Sequence, residues 1–154
     1  MLGIVLVMHE PLASAMASCV KHIMGQMPER FVALDVPADH PIEATMKLVG
    51  GHAMQVNDGA GVVFMTDLFG ATPSNAAVRA SMEMLNVPSV LVAGCNLPMI
   101  LRALGFREVH LSQVAEKLVT GGRNGIVGTG ATAPQTQTLN PADNHDSARS
   151  QNQQ

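Results

Sequence analysis

The chain has 154 residues, 47% of them hydrophobic and 14% charged, so its length and composition fit one globular domain. It carries a net charge of −3 at pH 7 and contains no Trp, no Tyr and only four Phe. A nucleic-acid partner is therefore not expected, because single-strand binders use basic grooves and aromatic platforms. The two Cys lie far apart without CxxC spacing, and no signal peptide or long apolar run is present. These features predict a cytosolic protein with reduced thiols.

Short apolar runs alternate with amphipathic stretches along the first 128 residues, a pattern that predicts βα units and a mostly parallel sheet. The runs 3–8 and 61–65 are the most continuously apolar, as expected for central strands buried on both faces. A weaker second strand is predicted at 31–36 and a fourth strand at 89–93. The fold class is therefore α/β, a doubly wound sheet with strand order 2-1-3-4. Helices are predicted after Pro11 as far as a left-handed Gly25, from Pro41 to Met54, from a Thr72 cap with Pro73 at the first helical position, and from the Asn96 cap to Gly105. The first of these helices carries an apolar stripe at Leu12, Met16, Cys19, Val20 and Ile23.

The chain after the fourth strand divides into two parts. Residues 106–111 alternate in polarity and predict an edge strand, and a last helix follows, capped by Ser112 and ending at Gly121-Gly122. From residue 129 to 154 Gln, Thr, Asn, Ala and Pro dominate, and such a segment buries too little apolar surface to offset its ordering entropy. We therefore predict a folded domain over residues 1–128 and a disordered, linker-like tail over 129–154.

Polar residues follow the two central strands and predict a functional site there. His9 ends the first run, Thr66-Asp67 follows the third strand, and a helix starts at Thr72-Pro73. Neighbouring parallel strands whose connections diverge form the crevice in which open α/β sheets bind ligands. A helix N-terminus offers unpaired N–H groups and partial positive charge to an oxyanion. Histidine, carboxylate and anion cradle together indicate phosphoryl transfer through a phosphohistidine.

Each residue type has a part in that chemistry. A neutral imidazole at His9 offers one ring nitrogen as nucleophile if Asp67 holds the proton on the other. Asp67 then stabilises the cation that forms on phosphorylation. The phosphate is expected to bind the segment from Phe69 to Ser74, with contacts from Phe69, Gly70, Ala71, Thr72 and Ser74. No cofactor is expected, and the remaining histidines lack metal-ligand spacing, so no metal site is expected.

Three segments of the chain carry a family resemblance: Gly3 to His9 with Leu12-Ala13, the run Thr66 to Asn75, and Gly94 to Met99. They resemble the mannose-family enzyme IIA of the bacterial phosphoenolpyruvate-dependent sugar phosphotransferase system, and the similarity spans roughly residues 2–120. The run from Thr66 to Asn75 is the most specific of the three.

The resemblance implies a phosphotransferase component and its partners. His9 would be phosphorylated by the histidine-containing phosphocarrier protein, with Asp67 beside it, and would pass the group to an enzyme IIB or signal to a regulated target. The protein would meet the membrane only through transporter components. The resemblance also implies a homodimer in which the strand near Phe106 to Leu111 runs antiparallel and is open to exchange between subunits.

Other interpretations are kept beside this one. A phosphoaspartate receiver module would place its acceptor where Asp67 stands. It also needs an acidic pair after strand one and a Lys after strand five, and this sequence offers only one acid after strand one and no Lys after strand five. A hydrolase using Ser74 lacks a GxSxG elbow. The phosphotransfer subunit of dihydroxyacetone kinase shares the histidine strand but not the run from Phe69 to Asn75. Glu10 departs from the small residue usual in the resembled family, and we expect its side chain to point to solvent.

Overall fold

The computed structural model of the protein describes residues 1–130, so nearly all of the predicted tail (129–154) lies outside the described residues. The helices and strands follow in chain order: β1 Gly3–His9, α1 Leu12–Met24, β2 Phe31–Val36, α2 Ile42–Val56, β3 Val62–Thr66, α3 Thr72–Glu83, β4 Ser89–Ala93, α4 Leu97–Gly105 and α5 Leu111–Asn124. Within this range no helix is long and apolar enough to cross a membrane.

The four strands form one parallel sheet in the order β2-β1-β3-β4, which confirms the predicted order. The central strand β1 pairs with both neighbours, and Val5 lies opposite Val32 of β2 and Phe64 of β3. Because β1 connects outward to β2 and β3 connects outward to β4, the chain diverges between the two central strands. This divergence places the switch point at the carboxyl ends of β1 and β3.

Both faces of the sheet are covered, as the continuous apolar runs predict. Ile4, Leu6 and Met8 of β1 pack with α1, α4 and α5, whereas Val5 and Val7 pack with α2 and α3. Side chains alternate across a strand, so a strand buried on both faces must be apolar throughout. These two layers hold the carboxyl end of β1 rigidly in the middle of the sheet.

The helix α1 packs through smaller side chains than its sequence suggests. Ala13, Ala17 and Val20 are buried, whereas Cys19 and Ile23 are exposed. The short Ala side chains let the helix approach the sheet closely, and this turns the predicted apolar stripe partly to solvent. The helix ends at Gly25 with φ +79°, the left-handed conformation predicted there.

The predicted edge strand at residues 106–111 is wrong for the described chain, where residues 106–110 form a turn between α4 and α5 and residue 111 begins α5. The side chain of Arg107 is buried, and its guanidinium donates to the carbonyl oxygens of Leu2 at 3.0 Å and Arg30 at 3.1 Å. The alternating pattern therefore comes from a turn that directs one long cationic side chain to the amino ends of β1 and β2. The sheet remains all parallel, and the last helix begins at Leu111 instead of following a Ser112 cap.

Candidate functional site

The imidazole of His9 and the carboxylate of Asp67 lie in direct contact. His9 is the last residue of β1, and Asp67 follows β3, so adjacent parallel strands bring them to the same edge of the sheet. The distance between His9 Nδ1 and Asp67 Oδ2 is 2.7 Å. The structure thus brings together the two residues that the sequence places after the central strands.

This contact defines the state of the imidazole ring. An ionised carboxylate only accepts hydrogen bonds, so the short contact assigns the proton to Nδ1 of His9. No described residue hydrogen-bonds to Nε2, and the His9 side chain is 45% exposed. The ring therefore carries a lone pair on Nε2 that an incoming group can reach.

The Asp67 carboxylate is held by donors on both oxygens. Oδ2 also accepts from the backbone N–H of His9 at 3.4 Å, and Oδ1 accepts from the Thr66 hydroxyl at 3.3 Å. Partial burial acts to raise the pKa of Asp67. The hydrogen bonds to its carboxylate, first of all the one from the His9 side chain, act to lower it. Their combined effect is larger than that of burial, so the pKa of Asp67 lies below its ordinary value of 3.8. Asp67 is therefore a carboxylate at neutral pH.

The loop between β3 and α3 is folded back onto the first turn of α3. The N–H of Gly70 donates to the Ser74 hydroxyl oxygen at 2.8 Å, and that hydroxyl donates to the carbonyl oxygen of Ala71 at 3.0 Å. The side-chain amide of Asn75 donates to the carbonyl oxygen of Gly70 at 2.9 Å. Gly70 has φ +85°, a conformation that favours glycine and permits the tight bend.

The start of α3 differs by one residue from the expected cap. Ala71 is the N-cap, Thr72 is the first helical residue, and no side chain caps this end. Thr72 is exposed, and as the first residue of the helix it has a backbone N–H without an intrahelical partner. At the start of α1, in contrast, a side chain already uses a free backbone donor: the carboxylate of Asp35 accepts from the backbone N–H of Ser14 at 3.0 Å. Of these two helix starts, α3 is the one left open to an anion.

The two residues directly after Asp67 have large apolar side chains that are exposed to solvent. Leu68 is 60% exposed and Phe69 is 74% exposed. The other Phe residues are covered: Phe31 and Phe64 are buried in the core, and Arg102 and Lys117 lie over the ring of Phe106. A protein with four aromatic rings therefore presents one of them to solvent beside its His9–Asp67 pair.

Further residues around the site separate into those foreseen and those missed. Glu10 is exposed, as expected from the sequence. The contacts of Asp35 and Asn75 were not predicted. The contact of Asp35 depends on the pairing of β2 with β1, which local sequence does not contain. The contact of Asn75 has a local signal, a polar residue two positions after the proline at the helix start.

Cys95 lies half-buried near Asp67, and burial, with the Asp67 charge, raises the pKa of its thiol to about 12. Among residues 1–130, no three His, Cys, Asp or Glu side chains cluster as metal ligands would.

Comparison with known proteins places this chain in a family. The EIIA-man family model, described as the PTS system fructose IIA component, matches residues 3–119. The sorbose-specific EIIA component of the phosphotransferase system from Lacticaseibacillus casei is 31% identical over 118 residues, covering 75% of this chain and 82% of that protein.

Solved structures share the fold. The phosphotransferase system component EIIA from Streptococcus agalactiae superposes with a TM-score of 0.74 at 25% identity, covering 83% of this chain and 97% of that one. The mannose/sorbose-specific IIA subunit from Enterococcus faecalis also gives a TM-score of 0.74, at 18% identity, covering 88% of this chain and 98% of that one. The family match and the sorbose-specific relative show that this chain belongs to the mannose-family enzyme IIA components of the sugar phosphotransferase system.

Proposed function

We propose that this enzyme IIA component accepts a phosphoryl group on Nε2 of His9 from the histidine-containing phosphocarrier protein. It then passes the group to an enzyme IIB or holds it as a signal read by a regulated target. The observation that carries this proposal is the 2.7 Å contact between Nδ1 and the Asp67 carboxylate, which leaves Nε2 as the nucleophile.

The transfer step follows from that geometry. The Nε2 lone pair attacks the phosphorus of the donor's phosphohistidine, a new N–P bond forms, and the donor's P–N bond breaks. The electron pair of the broken bond returns to the donor's imidazole. Nδ1 of His9 keeps its proton in the hydrogen bond to Asp67, so the positive charge that develops on the ring lies against a carboxylate. Transfer to an acceptor is the reverse of this step.

Asp67 both helps and opposes the reaction. The phosphoryl group brings a charge of about −1.5 to −2. A carboxylate about 4 Å from a unit charge contributes ~1 kcal/mol in water and ~4 kcal/mol at an effective dielectric of 20. The phosphoryl group sits on the exposed ring nitrogen farther from Asp67, where water screens it, so each unit of its charge is repelled less than the ring charge is attracted.

The open start of α3 offers the phosphoryl oxygens their remaining donors. We assign contacts to the backbone N–H groups of Phe69 and Ala71, and to the N–H and hydroxyl of the exposed Thr72. The N–H of Gly70 donates to the hydroxyl oxygen of Ser74. We therefore no longer assign phosphate contacts to these two groups, and propose that they hold the shape of the loop. The helix end itself contributes at most ~2 kcal/mol, and direct N–H bonds supply the rest.

The partner proteins dock where Leu68 and Phe69 are exposed. An apolar pair beside the nucleophile fits the desolvated centre of a transient interface, in which large aromatic residues carry much of the binding energy. We also propose a homodimer. Within residues 1–130, β4 pairs only with β3, so its outer edge offers backbone groups to a strand of another subunit.

Incubation with phosphoenolpyruvate, enzyme I and the phosphocarrier protein tests the proposal. The wild-type chain is expected to gain one phosphoryl group by mass, in a linkage that acid cleaves and alkali does not. His9→Ala is expected to gain none, whereas the matched variant His22→Ala, on the exposed side of α1, gains it normally. A group retained by His9→Ala, or a linkage cleaved by alkali, would point to Asp67 as the acceptor instead.

A further inference from the structure

The side chains of Ser74 and Asn75 hold three backbone groups of the loop that carries Asp67. Ser74 bonds to the N–H of Gly70 and the carbonyl oxygen of Ala71, and Asn75 bonds to the carbonyl oxygen of Gly70, all within 3.0 Å. Both polar groups of Gly70 are therefore satisfied by side chains from one turn of α3. We call these three contacts the loop clamp.

The hydroxyl of Ser74 has no donor left for a phosphoryl group. A serine hydroxyl has a single O–H, and here it is donated to Ala71. Ser74 is also 1% exposed, so a phosphoryl oxygen outside the loop does not reach it without moving the backbone. Ser74 therefore belongs to the support of the site.

We propose that Ser74 and Asn75 are positioning residues for phosphoryl transfer, acting through the loop clamp and not through contact with the phosphoryl group. This inference rests on the proposed function of His9. The clamp fixes Gly70 in its left-handed bend, with φ +85°, and this bend sets the direction in which the N–H groups of Ala71 and Thr72 point. It also fixes the chain between Asp67, which holds the imidazole, and the exposed Phe69.

Such a role predicts a particular kinetic effect. Misplacing donors or reacting groups by about 1 Å costs up to ~100-fold in rate, because donors pre-arranged for the transition state lose their alignment. Ser74→Ala and Asn75→Ala are each expected to slow the single-turnover transfer step roughly tenfold. The KM for the phosphocarrier protein is expected to change less than about twofold in Asn75→Ala, because Leu68 and Phe69 remain in place.

The experiment compares four full-length variants: Ser74→Ala, Asn75→Ala, the double variant, and Ser81→Ala as the matched control. Ser81 lies on the same helix and bonds through its hydroxyl to Ser89, away from the site. Asn75 is exposed, so Asn75→Ala tests the clamp even if the buried Ser74 substitution disturbs folding. Amide hydrogen exchange at Gly70 and single-turnover phosphoryl transfer are measured for each.

The clamp predicts faster exchange at Gly70 in Ser74→Ala, and slower transfer in both single variants, with wild-type behaviour in Ser81→Ala. Because the two residues act as one unit, the double variant should be no more than about twofold slower than the slower single variant. Slower transfer in Ser74→Ala alone would overturn the inference and make Ser74 a direct ligand, and so would fully multiplicative effects. Amide exchange at Gly70 is measured without any phosphoryl transfer. If His9 gains no phosphoryl group but Ser74→Ala still exchanges faster at Gly70, the proposed function is refuted and the loop clamp is not.

Discussion

Replacing Asp67 with Asn removes the negative charge beside the imidazole while keeping the shape of the side chain. An Asn oxygen still accepts from Nδ1–H of His9, so this variant retains the ring orientation and isolates the charge. Asp67→Ala removes the acceptor as well, and it should be the slower of the two. Asp35→Asn is the matched control, since Asp35 lies at the same sheet edge but bonds to Ser14.

The expected magnitude follows from the contact and its exposure. His9 Nδ1 and Asp67 Oδ2 are 2.7 Å apart, and the two side chains are 45% and 16% exposed, which lies between the aqueous and the buried limits. Taking ~3 kcal/mol of attraction to the developing ring charge, within those limits, and subtracting about 1–2 kcal/mol for the repulsion of the more distant, solvent-screened phosphoryl charge leaves ~1–2 kcal/mol. The transfer rate should then fall roughly five- to thirtyfold.

Rapid-quench transfer from the phosphorylated phosphocarrier protein measures this rate at saturating enzyme IIA. We expect Asp35→Asn to stay within about twofold of wild type, because its charge is not directed at the imidazole. A transfer rate in Asp67→Asn equal to that of the wild type would refute the electrostatic role of the carboxylate.

Four other predictions concern the surroundings of the site. Glu10→Gly should speed transfer modestly, about twofold, by removing an exposed negative charge near the phosphoryl group, and Glu10→Gln should do the same without added backbone freedom; an unchanged or slower rate in stopped-flow would remove this idea. Phe69→Ala should raise the KM for the phosphocarrier protein about tenfold, whereas Met82→Ala, which removes another highly exposed apolar side chain, should not. Carbon-13 NMR should find the pKa of Asp67 below 3.8 in the wild type and higher in His9→Ala, because burial then acts without the hydrogen bond from the His9 side chain. This hydrogen bond stabilises the folded state above pH 3.8, and its contribution is lost as the pH falls through the pKa of Asp67 in the folded state. A thiol reagent at mildly alkaline pH should label the exposed Cys19 quickly and Cys95, whose pKa is about 12, only on unfolding; equal labelling would contradict the assigned environment of Cys95.

The sequence predicted the central part of the fold because its signals there are redundant. The runs 3–8 and 61–65 are apolar at every position, so no other placement than the middle of a covered sheet satisfies them. The contact of His9 with Asp67 follows from that placement, because His9 ends β1 and Asp67 directly follows the adjacent β3.

Other features depend on tertiary contacts that local patterns do not contain. The alternation of residues 106–111 matches a strand, but the side chain of Arg107 finds carbonyl oxygens at the ends of two strands, and these contacts favour a turn. Ser74 looks like a phosphate ligand in sequence because it stands near a helix start. Its burial and its bond to Gly70 appear only once the loop is folded.

The position of the phosphoryl group within the labelled protein tests the central claim most directly. The chain, phosphorylated through the phosphocarrier protein and kept at alkaline pH, is cleaved and its peptides are fragmented to locate the group, and phosphorus NMR assigns the ring nitrogen. We predict a single phosphoryl group on Nε2 of His9. A group on Asp67, on another histidine or on Nδ1 of His9 would contradict the account.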